Sequence, residues 1–373
     1  MPPHPHRPPE LAWQVFRGSE AIRRGLLSRH HLRGASWVRL RQDVYADARL
    51  DRDHALACRA ALLRMPQGTV IAGPSAAYLH GVEHAAGFTD DVHVLLPAMV
   101  RADSQPGVRV HHAPVSSTRS GLLVPVGAAA PARTSPPAGT RFPVPAPPTA
   151  GRPSGRTRPP DPADHRARPG PPGPAVPPAS ALASNPSPLG AAMIPAGPPP
   201  RTEPVSCAWE TAVWADPVKA VGIVDGLLRA GSVSRSALAS EAARNACRPG
   251  GRRAAWVFGL TDGLARSPAE SHLRVRLVFA GLPRPVARHP VRVSAGRILH
   301  PDLAWPEFRV AVEYDDRPHS DGAHSDRRRL DQLVEAGWLV SHVTGRRLRK
   351  EFPGMVREIR AALVARGWQP GRN

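Results

Sequence analysis

The sequence predicts an α/β multidomain protein. Helical and strand-like apolar periodicities alternate along both ends of the chain. Between them runs a proline-dense tract with no periodicity at all. The length, 373 residues, is ample for two or three domains. The organisation expected is a disordered N-terminus over 1–14, a winged-helix-like region over 15–50, a small α/β domain over 51–126, a disordered Pro-rich linker over 127–205, a helical connector over 206–263 and a C-terminal α/β domain over 264–366.

The N-terminal elements follow from short-range pattern. In SEAIRRGLLSRHHLR, Ser19 is placed to cap a helix whose stripe is Ala21, Ile22, Leu26 and Leu27. Ser28 is placed to cap a second short helix, HHLR, and SWVRLRQDVYAD then reads as a hairpin. Helix, turn, helix and hairpin is winged-helix order, with Arg23, Arg24, Arg33, Arg39 and Arg41 available to phosphates. DHALACRAALLR is an amphipathic helix, Thr69–Ile71 a short strand, Gly73–His80 a helix, and Val92–Leu96 and Val108–His111 strands. His80, His84, His93, His111 and His112 lack the i, i+4 spacing of a helix-borne metal site and read as satisfied side chains.

From Pro131 to Val205 the chain carries 24 prolines, eight arginines and three acids. Such a segment buries too little apolar surface to offset its chain entropy, so a disordered linker is expected. A second reading is out-of-frame translation of GC-rich DNA, which yields the same residue types; an unbroken reading frame on resequencing would dismiss it. The tract contributes +5 to a net charge of +20, so most of the basic excess lies in the flanks. Lys219 and Lys350 are the only lysines, and the other cations are arginines. That balance points to a polyanionic partner. Met1–Glu10 has no apolar h-region and no run reaches the ~18 apolar residues of a membrane span. Cys58, Cys207 and Cys247 match neither a zinc spacing nor a disulfide framework, and a cytoplasmic location is expected.

In the C-terminal part, SPAESHLRVRLVFAG opens with Ser267 as N-cap, Pro268 at the first helical position and Glu270 at the third, a capping box. GRILHPDLAWPEFRVAVEYDD then reads as a hairpin turning at Pro306-Glu307. On the return strand Val310, Val312 and Tyr314 share one face, and Ala311, Glu313 and Asp315 the other. Pairing brings Asp302 opposite the acidic set, and clustered carboxylates on an apolar strand call for neutralisation. A hard divalent cation, Mg²⁺ or Mn²⁺, held by Asp302, Glu313 and Asp315 fits that need. DRRRLDQLVEA is a helix, WLVSHVT a buried strand, and a basic helix runs from Arg346 to about Arg366. The resulting order is αβββαβα, the core of the restriction-endonuclease-like PD-(D/E)XK architecture.

Two resemblances add to these readings. The phrases GLLSRHHLRG, WVRLRQDVYAD, GTVIAGPSAAYLHGV and GVRVHHAP, over residues 15 to about 125, resemble the abortive-infection (AbiEi) antitoxin type. That likeness implies a winged helix ahead of a compact α/β regulatory domain. Similar chains continue through PARTA into a helix, whereas here PARTS runs into proline. The order SPAESHLRVRLVFAGLP, PDLAWPEFRVAVEYDD, His and DRRRLDQLVEAGWLVSHVT resembles an uncharacterised bacterial family related to the very-short-patch-repair (Vsr) endonucleases. By that likeness Asp302 matches the metal-binding aspartate, Glu313 and Asp315 the acidic pair, Glu270 the helix glutamate and His319 the downstream histidine. The motif lysine would fall at position 315, where this chain has Asp315, and the commonly glycine position 316 is Asp316.

The leading functional expectation is a metal-dependent DNA endonuclease with an N-terminal DNA reader, in DNA repair or phage defence. Asp302, Glu313 and Asp315 would hold the metal, Glu270 would be an accessory acid, and His319 would handle a proton. Arg23, Arg24, Arg39, Arg41, Arg327, Arg328, Arg346 and Arg347 would contact phosphates. The alternative is a non-catalytic, antitoxin-like DNA-binding regulator that keeps the fold without the lysine. RNA is a further possible substrate, since the same metal chemistry serves both polymers.

Overall fold

The computed structural model describes residues 6–97, 99–112, 193–194, 198–315 and 323–371. The Pro-rich tract therefore lies outside the described residues except at 193–194 and from 198 onward. All described residues belong to one compact unit drawn from both flanks of the tract. It is a mixed α/β structure with several small sheets.

Residues 6–14 were expected to be disordered, but Pro9–Leu11 form a 3-10 turn. Leu11 is 2% exposed and packs with Phe16 and Trp37, because ELAWQVF supplies apolar anchors just ahead of the first strand. That strand, β1 (Val15–Arg17), runs into α1 (Gly18–Arg23). Ser19 does not cap α1: Arg17 occupies the cap position, and Ser19 donates its N–H (2.8 Å) and Oγ–H (2.5 Å) to Asp43. Asp43 sits at φ 59° in the tight turn between β2 (Trp37–Arg41) and β3 (Val44–Asp47). The expected second helix is a single 3-10 turn, His31–Arg33, with the Ser28 Oγ accepting from the His31 N–H at 3.2 Å. Next come α2 (His54–Leu62), β4 (Val70–Ile71), α3 (Gly73–Leu79), β5 (Val92–Leu96) and β6 (Val108–His112). Asp53 caps α2 by accepting from the Leu56 N–H at 2.7 Å. Strands β4, β5 and β6 form one sheet in that order, with β5 and β6 parallel.

The chain beyond the tract is stitched into this part. The short strand β7 (Met193–Ile194) pairs antiparallel with β1, and the Ile71 N–H donates to the Pro200 carbonyl at 2.8 Å. Four helices follow: α4 (Pro204–Trp214), α5 (Pro217–Arg229), α6 (Arg235–Arg244) and α7 (Gly251–Leu260). Helix α5 starts afresh after α4, with Asp216 as its cap and Pro217 at its first position. Cys207, Ile223, Val224, Leu227 and Leu238 share a core with Cys58, Ile71, Ala76, Val94 and Val108. Residues 206–263, expected as a connector, thus complete the hydrophobic core of the small α/β part.

Glu210 seals that junction. It is 5% exposed, and its Oε2 accepts from the Gly73 N–H at 2.8 Å and the Thr202 hydroxyl at 2.9 Å. Burial pushes its carboxyl up to about 7 despite those bonds. A buried acid whose folded pKa is raised stabilises most when protonated, so its contribution falls as pH rises from about 4.5 through 7. Glu210→Gln keeps an oxygen acceptor for both donors, and its urea-unfolding free energy is expected to lose this part of the pH dependence. Glu210→Ala orphans both donors, at about 1–3 kcal/mol each. An unchanged pH profile in the Gln variant would contradict the assignment.

The C-terminal part comprises α8 (Pro268–Phe279), β8 (Val286–Ala287), β9 (Val291–Arg292), β10 (Ile298–Leu299), β11 (Leu303–Trp305), β12 (Val310–Asp315), α9 (Ala323–Glu335), β13 (Leu339–Thr344), α10 (Gly345–Lys350) and α11 (Phe352–Ala365). The main sheet has order β13-β12-β11-β8, and α9 makes the crossover between parallel β12 and β13. The strand expected over 298–305 divides: β10 pairs with β9, while β11 pairs with β12. The basic C-terminal helix breaks at Glu351, two residues before Pro353. Val310 and Val312 pack on Leu273, Leu277 and Ile359, on the face covered by α8 and α11. Ala304 and Ala311 pack on Leu333 of α9 on the other face.

Helices α5 and α8 are joined by buried charges. Arg274, 1% exposed, bridges Asp225 (2.5 Å) and Asp262 (2.7 Å) and donates to the Leu260 carbonyl (2.6 Å). Asp225 also accepts from the Ser271 hydroxyl and from the N–H groups of Asp262 and Gly263.

Candidate acidic cleft

The Leu303↔Val312 pairing places Asp302 beside the Glu313–Tyr314 stretch of β12. Asp302 is 8% exposed. Its Oδ2 accepts from the Tyr314 N–H at 2.9 Å, and its Oδ1 lies 3.3 Å from an Arg288 guanidinium nitrogen. Glu313 accepts from the Arg329 Nε at 3.0 Å. Burial pushes the Glu313 carboxyl up to about 7, the nearby Asp302 charge adds to the rise, and Arg329 offsets part of it.

Glu270 reaches the same place from the first turn of α8. The Ser267 Oγ accepts from the Glu270 N–H at 3.3 Å, as the capping pattern predicts. The returning half of the box goes one residue further back, since Glu270 accepts from the Arg266 N–H at 2.9 Å. Burial raises the Glu270 carboxyl above its ordinary value, and the Asp302 charge contributes. Glu270, Asp302, Glu313 and Asp315 line one cleft of about 260 Å³, together with Arg266, Arg329 and His342. The His342 Nε2 lies 4.0 Å from an Asp315 oxygen. Among the described residues, no three His, Cys, Asp or Glu side chains are grouped closely enough to hold a metal ion as they stand.

His319 and Asp316 lie outside the described residues. Arg327 and Arg328 are exposed on α9, as is Arg346 at the start of α10. Arg347 is tied to Glu358 (2.5 Å) and the His342 carbonyl (2.7 Å). In the N-terminal part Arg24 and Arg39 are exposed, Arg23 pairs with Glu20 at 2.6 Å, and Arg41 donates to the carbonyls of Pro106 and Gly107 at 2.9 Å each. Four of the five N-terminal histidines are engaged by the chain beyond the Pro-rich tract, and His112 is exposed. His80 bonds the Thr202 carbonyl, His84 the Gly222 carbonyl, and His93 and His111 sit 3.1 Å apart beside Trp214. Burial pushes both His93 and His111 down to about 4, so they are uncharged at neutral pH.

The residues that sequence pattern left out are Arg266, Arg288, Arg329 and His342. Two had a usable signal: Arg329 lies one helical turn before the buried Leu333, and His342 is the β13 partner of Glu313. Arg288 and Arg266 are brought in by loops, where no periodicity operates.

Two uncharacterized proteins of Mycobacterium tuberculosis are similar to this chain: MT2308 of strain CDC 1551 / Oshkosh and Rv2248 of strain ATCC 25618 / H37Rv. Each is 31% identical over 168 residues, which is 44% of this chain and 60% of the relative. The chain thus spans about 60% of the length of the curated relatives it matches. No family model matches it, and no solved structure does. No helix among the described residues is long and apolar enough to cross a membrane.

Proposed function

We propose that the chain is a metal-dependent nuclease acting on DNA, with the acidic cleft as its hydrolytic site. The observation that carries this reading is the convergence of Asp302, Glu313, Asp315 and Glu270 on one cleft, from two paired strands and the start of a helix. The element order α8–β8–β11–β12–α9–β13–α10 supports a restriction-endonuclease-like core. In the N-terminal part, where the second helix of a winged helix is only the 3-10 turn His31–Arg33, exposed Arg24 and Arg39 support a DNA-reading role.

The donor set suits a hard divalent cation, because it is all carboxylate oxygen. Crowding of like charge supports the same fit: beyond burial, the Asp302 charge raises Glu313 although Arg329 and Arg288 offset part of the rise. Asp302 and Glu313 would hold Mg²⁺ or Mn²⁺ with Asp315 completing the set, and the ion would polarise a phosphoryl oxygen and make bound water more acidic. Glu270, held by the α8 cap, would fix the edge of the site. Exposed Arg24, Arg39, Arg327, Arg328 and Arg346 would bind phosphates, so affinity for DNA should fall steeply with salt.

The test is nicking of supercoiled plasmid with Mg²⁺ or Mn²⁺ by the wild type and Asp302→Ala. Metal-dependent nicking lost in the variant supports the proposal; equal inertness with intact DNA binding overturns it. A metal readout is independent of turnover. Protons compete with the cation at Glu313 below about pH 7, so the Mg²⁺-induced rise in melting temperature should grow from pH 6 to pH 8. A flat profile would remove Glu313 from the ligand set.

A non-catalytic DNA-binding regulator is favoured by one specific observation. Arg288 already faces Asp302 and Arg329 already faces Glu313, so the carboxylates carry internal counter-charges. Inert protein that binds DNA in the plasmid test is the result this second reading expects.

A further inference from the structure

We propose that Arg329 is the phosphate-contacting cation of the acidic cleft, supplying from helix α9 the positive charge that strand position 315 lacks. The inference rests on the phosphodiester reading above and names the residue that completes it.

The placement follows from register. Ala311, Glu313 and Asp315 alternate onto one face of β12, and Leu333 of α9 packs on that face at Ala311. Two strand residues advance about 6.6 Å, and four helical residues about 6 Å. Because α9 runs back along β12 to reach parallel β13, one helical turn before Leu333 falls one strand repeat beyond Ala311. That step superposes Arg329 on Glu313, and the Nε–Oε1 distance of 3.0 Å is the contact it produces. A lysine on the strand would rise from position 315; α9 delivers a cation to the same acidic face from above.

The surroundings fit a catalytic charge better than a simple surface ion pair. Arg329 is 30% exposed at its side chain, lines the cleft, and anchors a second nitrogen on the His300 carbonyl. A guanidinium has five N–H donors in a fixed fork, so one edge can stay on Glu313 while others reach a phosphate. In hydrolysis the water oxygen bonds to phosphorus as the bond from phosphorus to one deoxyribose oxygen breaks. One water proton ends on that leaving oxygen, and the other O–H stays on the new phosphomonoester. Negative charge builds on the non-bridging oxygens, where a guanidinium acts.

The test uses Arg329→Gln and Arg329→Lys, each in the full chain. Plasmid nicking with Mg²⁺ should fall roughly 100-fold in Arg329→Gln. Arg329→Lys should retain more, because an ammonium still brings positive charge to the cleft. Wild-type rates in Arg329→Gln overturn the proposal, as does an Arg329→Lys that melts like the wild type but is as slow as Arg329→Gln. Binding to a short duplex without metal is the second arm. Arg329→Gln should lower the slope of log affinity against log salt by about one phosphate contact, and Arg329→Lys should not. If the wild type does not cleave, the nuclease reading fails, and the binding arm alone decides Arg329: an unchanged slope and affinity in Arg329→Gln overturns it.

Discussion

Replacing Arg274 by methionine should destabilise the protein by about 3–5 kcal/mol, the cost of stripping the partner from a buried ionic network. Asp225 and Asp262 meet the guanidinium at 2.5 and 2.7 Å, and Arg274 and Asp225 are each 1% exposed. Without the cation both carboxylates stay in the dry interface between α5 and α8. Burial already raises the Asp262 carboxyl above its usual range, and Arg274 is the main influence holding it down. A raised acid is most favourable when protonated, so the deficit of the variant should shrink as pH falls toward the carboxylate range. Combining Arg274→Met with Asp225→Asn and Asp262→Asn should recover much of the loss, since removing all the charges is far cheaper than removing one. Urea unfolding of the single and triple variants at pH 5 and pH 8 measures this. A single-variant loss below about 1 kcal/mol would mean that water reaches the network.

Asp302→Asn should separate charge from architecture in the cleft. The amide oxygen can still accept from the Tyr314 N–H, which the Asp302 Oδ2 does now at 2.9 Å. Folding should therefore be retained, whereas Asp302→Ala removes that acceptor along with the charge. With the charge gone, burial alone still raises Glu313 but the contribution of Asp302 is lost, and its pKa should fall from about 7. Plasmid nicking should drop at least 100-fold, because a neutral amide is a poor ligand for a hard cation and leaves transition-state charge unbalanced. Nicking at the wild-type rate by a folded Asp302→Asn would remove this aspartate from the hydrolytic machinery.

What the sequence made legible is what local rules encode. Ser267, Pro268 and Glu270 announced the start of α8, and alternation along VAVEYD assigned Val310, Val312 and Tyr314 to a face opposite Glu313 and Asp315. Because Asp302 precedes β11 by one residue, its meeting with that acidic face followed from hairpin pairing alone. Periodicity names the face an element buries but not the element it is buried against. Cys207 and Val108 lie almost a hundred residues apart with the Pro-rich tract between them, and nothing local joins them in one core. The cleft cations were only partly legible for a related reason. In RRRLDQL three consecutive arginines look alike, and only the register of α9 over β12 selects the third.

The joined core bears on what the intervening tract is for. Strand β7 lies on β1, Pro200 on Ile71, and Glu210 on Gly73, so both margins of the insert are held by non-covalent contacts to the same body. Lengthening or shortening a closed loop changes its entropy only logarithmically, about 0.6 kcal/mol per doubling. The number of residues between the flanks therefore has only a weak effect on the cost of joining them. The two segments beside this stretch are complementary halves of a single interior, written far apart on one chain.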